Sequence, residues 1–103
     1  MTKDVMGPKQ LTAGQSGVIR PGACVTILSK EEVTLPQGCC GVIGIRVSLG
    51  NRSLTLCATL VPSGYNGHVR IQLINHSLDP QDIVEIKEGD ELVNLEYLAT
   101  YAG

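Results

Sequence analysis

From Val18 onward the chain breaks into short runs rich in Val, Ile, Leu and Thr, divided at near-regular intervals by Gly, Pro, Asn and Asp. That rhythm belongs to a β-sandwich or barrel. It predicts strands over residues 18–19, 24–28, 32–35, 41–47, 53–60, 68–74, 83–86 and 92–98. In Ser53-Leu54-Thr55-Leu56, and again in Val69-Arg70-Ile71-Gln72-Leu73, polar and apolar residues alternate with period two. One face of each run therefore points inward and the other meets water. Helical spacing has almost no support.

The punctuation between the runs carries its own information. Arg20-Pro21-Gly22, Leu35-Pro36-Gln37-Gly38, Gly50-Asn51, Tyr65-Asn66-Gly67 and Glu88-Gly89-Asp90 each put Gly, Asn or Pro where a reversal needs unusual φ. Residues 1–10 differ, because their polar composition and Gly7-Pro8 predict an extended arm that frays unless a neighbouring surface holds it. The chain divides into an N-terminal arm over 1–16 and one β-domain over 17–103.

Composition narrows the function classes. A length of 103 residues fits one domain, and 43% apolar against 17% charged residues predicts that it folds. With three Tyr, no Phe and no Trp, the core must be built from Val, Leu, Ile, Ala and Cys, and platforms for stacking bases are scarce. Eight Lys and Arg against ten Asp and Glu give a net charge of −2 without a run of either sign. This disfavours nucleic acid and anionic membranes as partners. No apolar segment near the start suits a signal peptide and none reaches the length of a membrane span, so a cytoplasmic protein is the default expectation. Cys24, Cys39, Cys40 and Cys57 match no zinc or redox spacing and are expected to be free thiols serving as small core hydrophobes.

Three segments, in order, resemble the trimeric dUTPase and dCTP deaminase superfamily. Ile19-Arg20-Pro21-Gly22, then Leu35-Pro36-Gln37-Gly38, then Arg46-Val47-Ser48-Leu49 are similar to its Pro-Gly opening, its Leu-Pro-x-Gly turn and its Arg-Ser-Ser-Leu motif. Val61-Pro62-Ser63-Gly64-Tyr65-Asn66-Gly67-His68, with the following run to Asn75, resembles the tyrosine loop and the strand after it. Gly89-Asp90-Glu91-Leu92-Val93-Asn94-Leu95 resembles the motif Gly-Asp-x-Ile-Ala-Gln-Leu. The resemblance implies an all-β distorted barrel or jelly roll, assembled as a trimer with a nucleotide site at each subunit interface.

The resemblance also marks departures. The general base of the dUTPase branch is an Asp whose place is taken by Pro62, which has no side-chain base. The proton-relaying Glu of the deaminase branch falls on Gln72, whose amide does no acid-base work near neutral pH. Val47 replaces a motif Ser, Asn51 stands at a basic position of the deaminase branch, and Asn94 replaces the last motif's Gln. The glycine-rich C-terminal arm of dUTPases is not found before Gly103. These losses imply no catalytic residue, no metal and no cofactor, with Arg46, Ser48 and Tyr65 as the remnant of a ligand pocket.

Of these residues, Tyr65 is expected chiefly to anchor its own turn, and Arg46 to pair with a carboxylate across a trimer interface. His68 and His76 read as surface residues, and the acidic group Asp79, Asp82, Glu85, Glu88, Asp90 and Glu91 as a solvated face. The expected function is a non-catalytic homotrimeric structural protein, a capsid decoration protein of a virion that contacts the shell partly through its arm. The alternatives are a nucleotide-binding or sequestering pseudoenzyme and an active dUTP pyrophosphatase or dCTP deaminase.

Overall fold

The alternation at 69–73 becomes the middle of the central strand, with Val69, Ile71 and Leu73 buried and His68 and Arg70 exposed. The computed structural model describes residues 9–46 and 53–99, among which there are nine strands and no helix. In chain order they are β1 (Lys9–Thr12), β2 (Gly17–Ile19), β3 (Cys24–Thr34), β4 (Cys39–Ile45), β5 (Leu54–Leu56), β6 (Leu60–Val61), β7 (Asn66–Asn75), β8 (Val84–Ile86) and β9 (Glu91–Ala99). They form three antiparallel sheets in the orders β1-β9-β4-β6, β2-β8 and β3-β7-β5. The all-β expectation holds, and the inward residues of all three sheets share one core that includes Leu11, Ile27, Ile43, Ile71, Val84 and Leu95. At Gly41 a Cβ would stand 2.7 Å from a Leu95 methyl group, so any side chain there would have to displace the buried Leu95.

Element boundaries differ from the sequence reading in three places, each for a packing reason. Residues 9–12, placed in the arm, form β1 and pair with β9. The arm's residues 1–8 lie outside the described residues. The run at 53–60 divides into β5 and β6, which join different sheets. The two runs at 24–28 and 32–35 fuse into β3 across a bulge between Leu28 and Glu32.

The bulge ties two sheets together. Between the pairs Leu28 with Arg70 and Glu32 with His68, β3 inserts Ser29, Lys30 and Glu31 against Val69 alone. The buried Ser29 hydroxyl accepts the Val69 amide at 2.8 Å and donates to the Glu31 carbonyl at 2.6 Å, which satisfies it inside the core. Glu31 then reaches β1, accepting from the Thr12 amide at 2.8 Å and the Thr12 hydroxyl at 2.7 Å. Burial by itself would raise the Glu31 pKa, but the two Thr12 bonds, the Glu31 amide and the Lys9 charge outweigh it and hold it below the ordinary value near 4.5.

At the far end of β7, Asn75 is fully buried. Its Nδ2 donates to the carbonyls of Ile19 at 3.1 Å and Asp82 at 2.8 Å, while its Oδ1 accepts from the Ser77 amide at 3.0 Å. One side chain thus fixes the end of β2 and the connection from β7 to β8.

Two outcomes follow for stability. Asn75→Ala removes the partner of the Ser77 amide and of the Ile19 and Asp82 carbonyls, the Ile19 bond being buried, and should cost about 1–3 kcal/mol, read from the urea midpoint at unchanged slope. A depressed carboxylate pKa contributes stability above the unfolded value and loses it as pH falls through the folded one. The urea midpoint of the native protein should therefore fall between about pH 5 and 3, and Glu31→Gln should flatten part of that decline.

Candidate functional site

Two turns predicted from Gly and Pro meet at one end of the barrel. The Leu35-Pro36-Gln37-Gly38 turn joins β3 to β4, and the 62–65 loop joins β6 to β7. The Leu35 amide donates to the Tyr65 carbonyl at 2.8 Å, and the Gly38 amide donates to Ser63 Oγ at 2.8 Å. Gly64 packs on Gln37 with φ +79°, where a Cβ would fall 2.5 Å from Gln37 Nε2. The Tyr65 amide closes the loop by donating to the Pro62 carbonyl at 3.1 Å, and the Tyr65 hydroxyl donates to the His68 carbonyl.

Beside this loop opens a cleft of about 380 Å³ lined by Leu60, Val61, Pro62, Tyr65, Val69 and Arg70. Its walls are apolar and aromatic, and among the described residues the charge that lines it is that of Arg70, on the outward face of β7. Leu60 at its rim is 63% exposed, so an uncovered apolar wall faces outward. Such a slot suits a flat ring whose anionic tail lies toward the cation.

The expected pocket residues divide between places. Tyr65 lines the cleft, but its phenol is engaged within its own turn, as a turn anchor would be. Arg46 follows β4 and does not line that cleft. Its Nη2 lies 3.2 Å from Glu91 Oε1 in the same chain, so the expected carboxylate partner comes from β9. The Gln10 amide, oriented by both groups, donates to Glu91 Oε2 at 2.9 Å and accepts from Arg46. Ser48, with Val47 and Asn51, lies outside the described residues.

Pro62 stands at the cleft and Gln72 does not. The Gln72 amide, on the outer face of β7, donates to Thr26 Oγ1 at 3.4 Å. The sequence reading did not single out Arg70 or Leu60, although the alternation at 69–73 already sent Arg70 outward.

The histidines are both exposed, His68 against the Ser29 carbonyl at 2.9 Å and Glu32 at 3.4 Å, His76 against Thr55 Oγ1 at 2.7 Å. Among the described residues, no three of His, Cys, Asp and Glu converge as metal ligands would. The expectation of core thiols is corrected for two of the four: Cys40 is buried, but Cys24 and Cys57 are exposed because they fall on the outward face beside β7. Their sulfurs lie 3.3 Å apart. The hydrogen bond with Cys24 raises the Cys57 pKa above the ordinary thiol value near 9.0, with smaller contributions from desolvation and charge.

Residues 1–98 match the family model described as dCTP deaminase-like. The chain belongs to this family. It is 35% identical over 81 residues to the deoxyuridine 5'-triphosphate nucleotidohydrolase of Nocardia farcinica, covering 76% of this chain and 48% of that protein. It is 32% identical over 91 residues to the dCTP deaminase of Pyrobaculum islandicum, covering 84% and 50%. The chain thus spans about half the length of these curated relatives. The EIAV dUTPase superposes with a TM-score of 0.79 at 16% identity, covering 100% of this chain and 83% of that one. A dUTPase from phage phi11 of S. aureus gives 0.83 at 16%, covering 95% and 80%.

The recognised superfamily and the dUTPase-like β-fold therefore stand. The expected non-enzymatic, capsid-decorating role does not, because the relatives are named for catalysed reactions and none points to a shell protein. That expectation rested chiefly on Pro62 and Gln72, with Val47, Asn51 and Asn94 beside them, all positions of a single chain. A side chain missing at one position leaves the rest of an active site untested, since a proton acceptor can enter from another segment or subunit.

Gly64→Ala tests how the two turns are held. A Cβ at positive φ costs about 1–2 kcal/mol, and it also displaces Gln37. The substitution should lower the urea midpoint accordingly, whereas Gly22→Ala, with a similar φ of +81° and nothing within 4 Å, should pay the backbone cost alone.

Proposed function

We propose that this family member acts on a pyrimidine deoxynucleoside triphosphate, as a dUTP pyrophosphatase or a dCTP deaminase, in the cleft beside Tyr65. The observation that carries the reading is the cleft itself, with an apolar slot against an aromatic ring and the cation Arg70 at its side. The pyrimidine would lie against Tyr65 and Val69, with its phosphates toward Arg70.

The site is completed in a homotrimer. Support for this comes from the exposed apolar rim at Leu60 and from the placing of Arg46 outside its own chain's cleft. The Arg46 and Glu91 side chains are 30% and 48% exposed, and ion pairs so exposed are worth about 0–1 kcal/mol. Arg46 therefore gives up Glu91 at little cost to meet a phosphate in a neighbouring copy's cleft, with Ser48 two residues further on. Such an enzyme would work in the cytoplasm, where free nucleotides are handled.

No carboxylate lines the cleft among the described residues, so the proton acceptor comes from outside these walls. The purified protein should release pyrophosphate from dUTP or ammonia from dCTP, and native mass spectrometry should give three chains. Arg70→Ala should lower kcat/KM at least about tenfold, the loss of one charge-assisted hydrogen bond. Calorimetric binding without release of either product would overturn the catalytic half of the reading. Absence of both binding and turnover would overturn all of it.

A further inference from the structure

Cysteine is among the residue types most often buried, yet Cys24 and Cys57 are both exposed. Cys24 begins β3 opposite Ile74, and Cys57 follows β5 with its amide donating to the Gln72 carbonyl at 3.0 Å. The two cysteines thus approach β7 from opposite sides, and their sulfurs meet above its outer face at 3.3 Å. The other two thiols are disposed differently. Cys40 is buried, and the Cys39 sulfur turns to the Cys40 carbonyl at 3.9 Å.

We propose that Cys24 and Cys57 form an oxidisable dithiol that a hydroperoxide closes to a disulfide, strapping β3 to the end of β5 across β7. One cysteine, as thiolate, attacks a peroxide oxygen. The O–O bond breaks, the sulfur becomes a sulfenic acid, and the departing hydroxide takes the thiol's proton to become water. The second thiolate attacks that sulfur. The S–S bond forms, the S–O bond breaks, and the second hydroxide leaves as water with the second thiol's proton. Two thiols lose two electrons and two protons, and one hydrogen peroxide is reduced to two waters.

The geometry makes this pair the one that closes. The sulfurs must approach by about 1.3 Å to reach bonding distance. Strands two places apart in a flat sheet stand about 9.6 Å apart, and a bridge needs Cα atoms within about 7 Å. The sulfurs nevertheless meet at 3.3 Å, so the two side chains already lean toward each other over β7. The remaining movement falls on Cys57, which lies just past a strand of three residues at the edge of its sheet. The bridge closes a separation of 33 residues, and it is independent of whether the cleft binds a nucleotide.

The test treats the reduced protein with hydrogen peroxide, blocks remaining thiols and maps tryptic peptides. Cleavage after Lys and Arg, but not between Arg20 and Pro21, separates Cys24 in peptide 10–30, Cys39 and Cys40 in 31–46, and Cys57 in 53–70. Two of the four cysteines should resist alkylation, and peptides 10–30 and 53–70 should appear joined until dithiothreitol is added. The joint variant Cys39→Ser with Cys40→Ala should keep the bridge, and Cys57→Ser should abolish it. Recovery of Cys24 and Cys57 as separate oxidised acids, or bridged to Cys39 or to another chain, would overturn the proposal.

Discussion

A slip of β7 by one residue against β3 would turn Val69, Ile71 and Leu73 toward water and drive His68, Arg70 and Gln72 into the core. Everything functional in this molecule depends on that slip not occurring. Two buried polar groups pin the register. Ser29 accepts the Val69 amide from within the bulge of β3, and Asn75 fastens the other end of the strand to Ile19 and Asp82. Each is satisfied in one register, and each would be stranded in the next.

With β7 fixed, its outward face becomes a row of chemistry. Arg70 stands at the cleft, Gln72 follows it, and the two exposed thiols meet above the strand further along. Tyr65 and Pro62 approach from the loop that leads into the strand. The turn at Leu35 to Gly38 braces that loop through the Tyr65 carbonyl and Ser63 hydroxyl, so two separate pieces of sequence share one corner. The cleft is formed largely by backbone hydrogen bonds and turn geometry, which survive changes of side chain. The same fold thus recurs in the EIAV dUTPase at 16% identity.

The departures at Pro62 and Gln72 bear on chemistry differently once the fold is known. Pro62 does face the cleft, so a side-chain base is lacking at that wall. Gln72 lies along the outer sheet, bonded to Thr26, and does not line the cleft of its own chain. The relatives are named for catalysed reactions, and the cleft is open at Leu60. Arg46 lies outside that cleft, paired with an exposed carboxylate of its own chain.

The sequence by itself determined the strand periods, the turn positions and, through three short motifs, the family. These are local properties: side-chain alternation, the φ freedom of Gly and the rigidity of Pro act over a few residues. It left open what depends on which strands become neighbours. The fusion of two runs into β3, the pairing of residues 9–12 with β9, the union of Arg46 with Glu91 and the contact of Cys24 with Cys57 all join segments distant in the chain. Only the closing of the sheets around one core brings such segments together, since no spacing along a strand encodes the residue that another strand will set beside it.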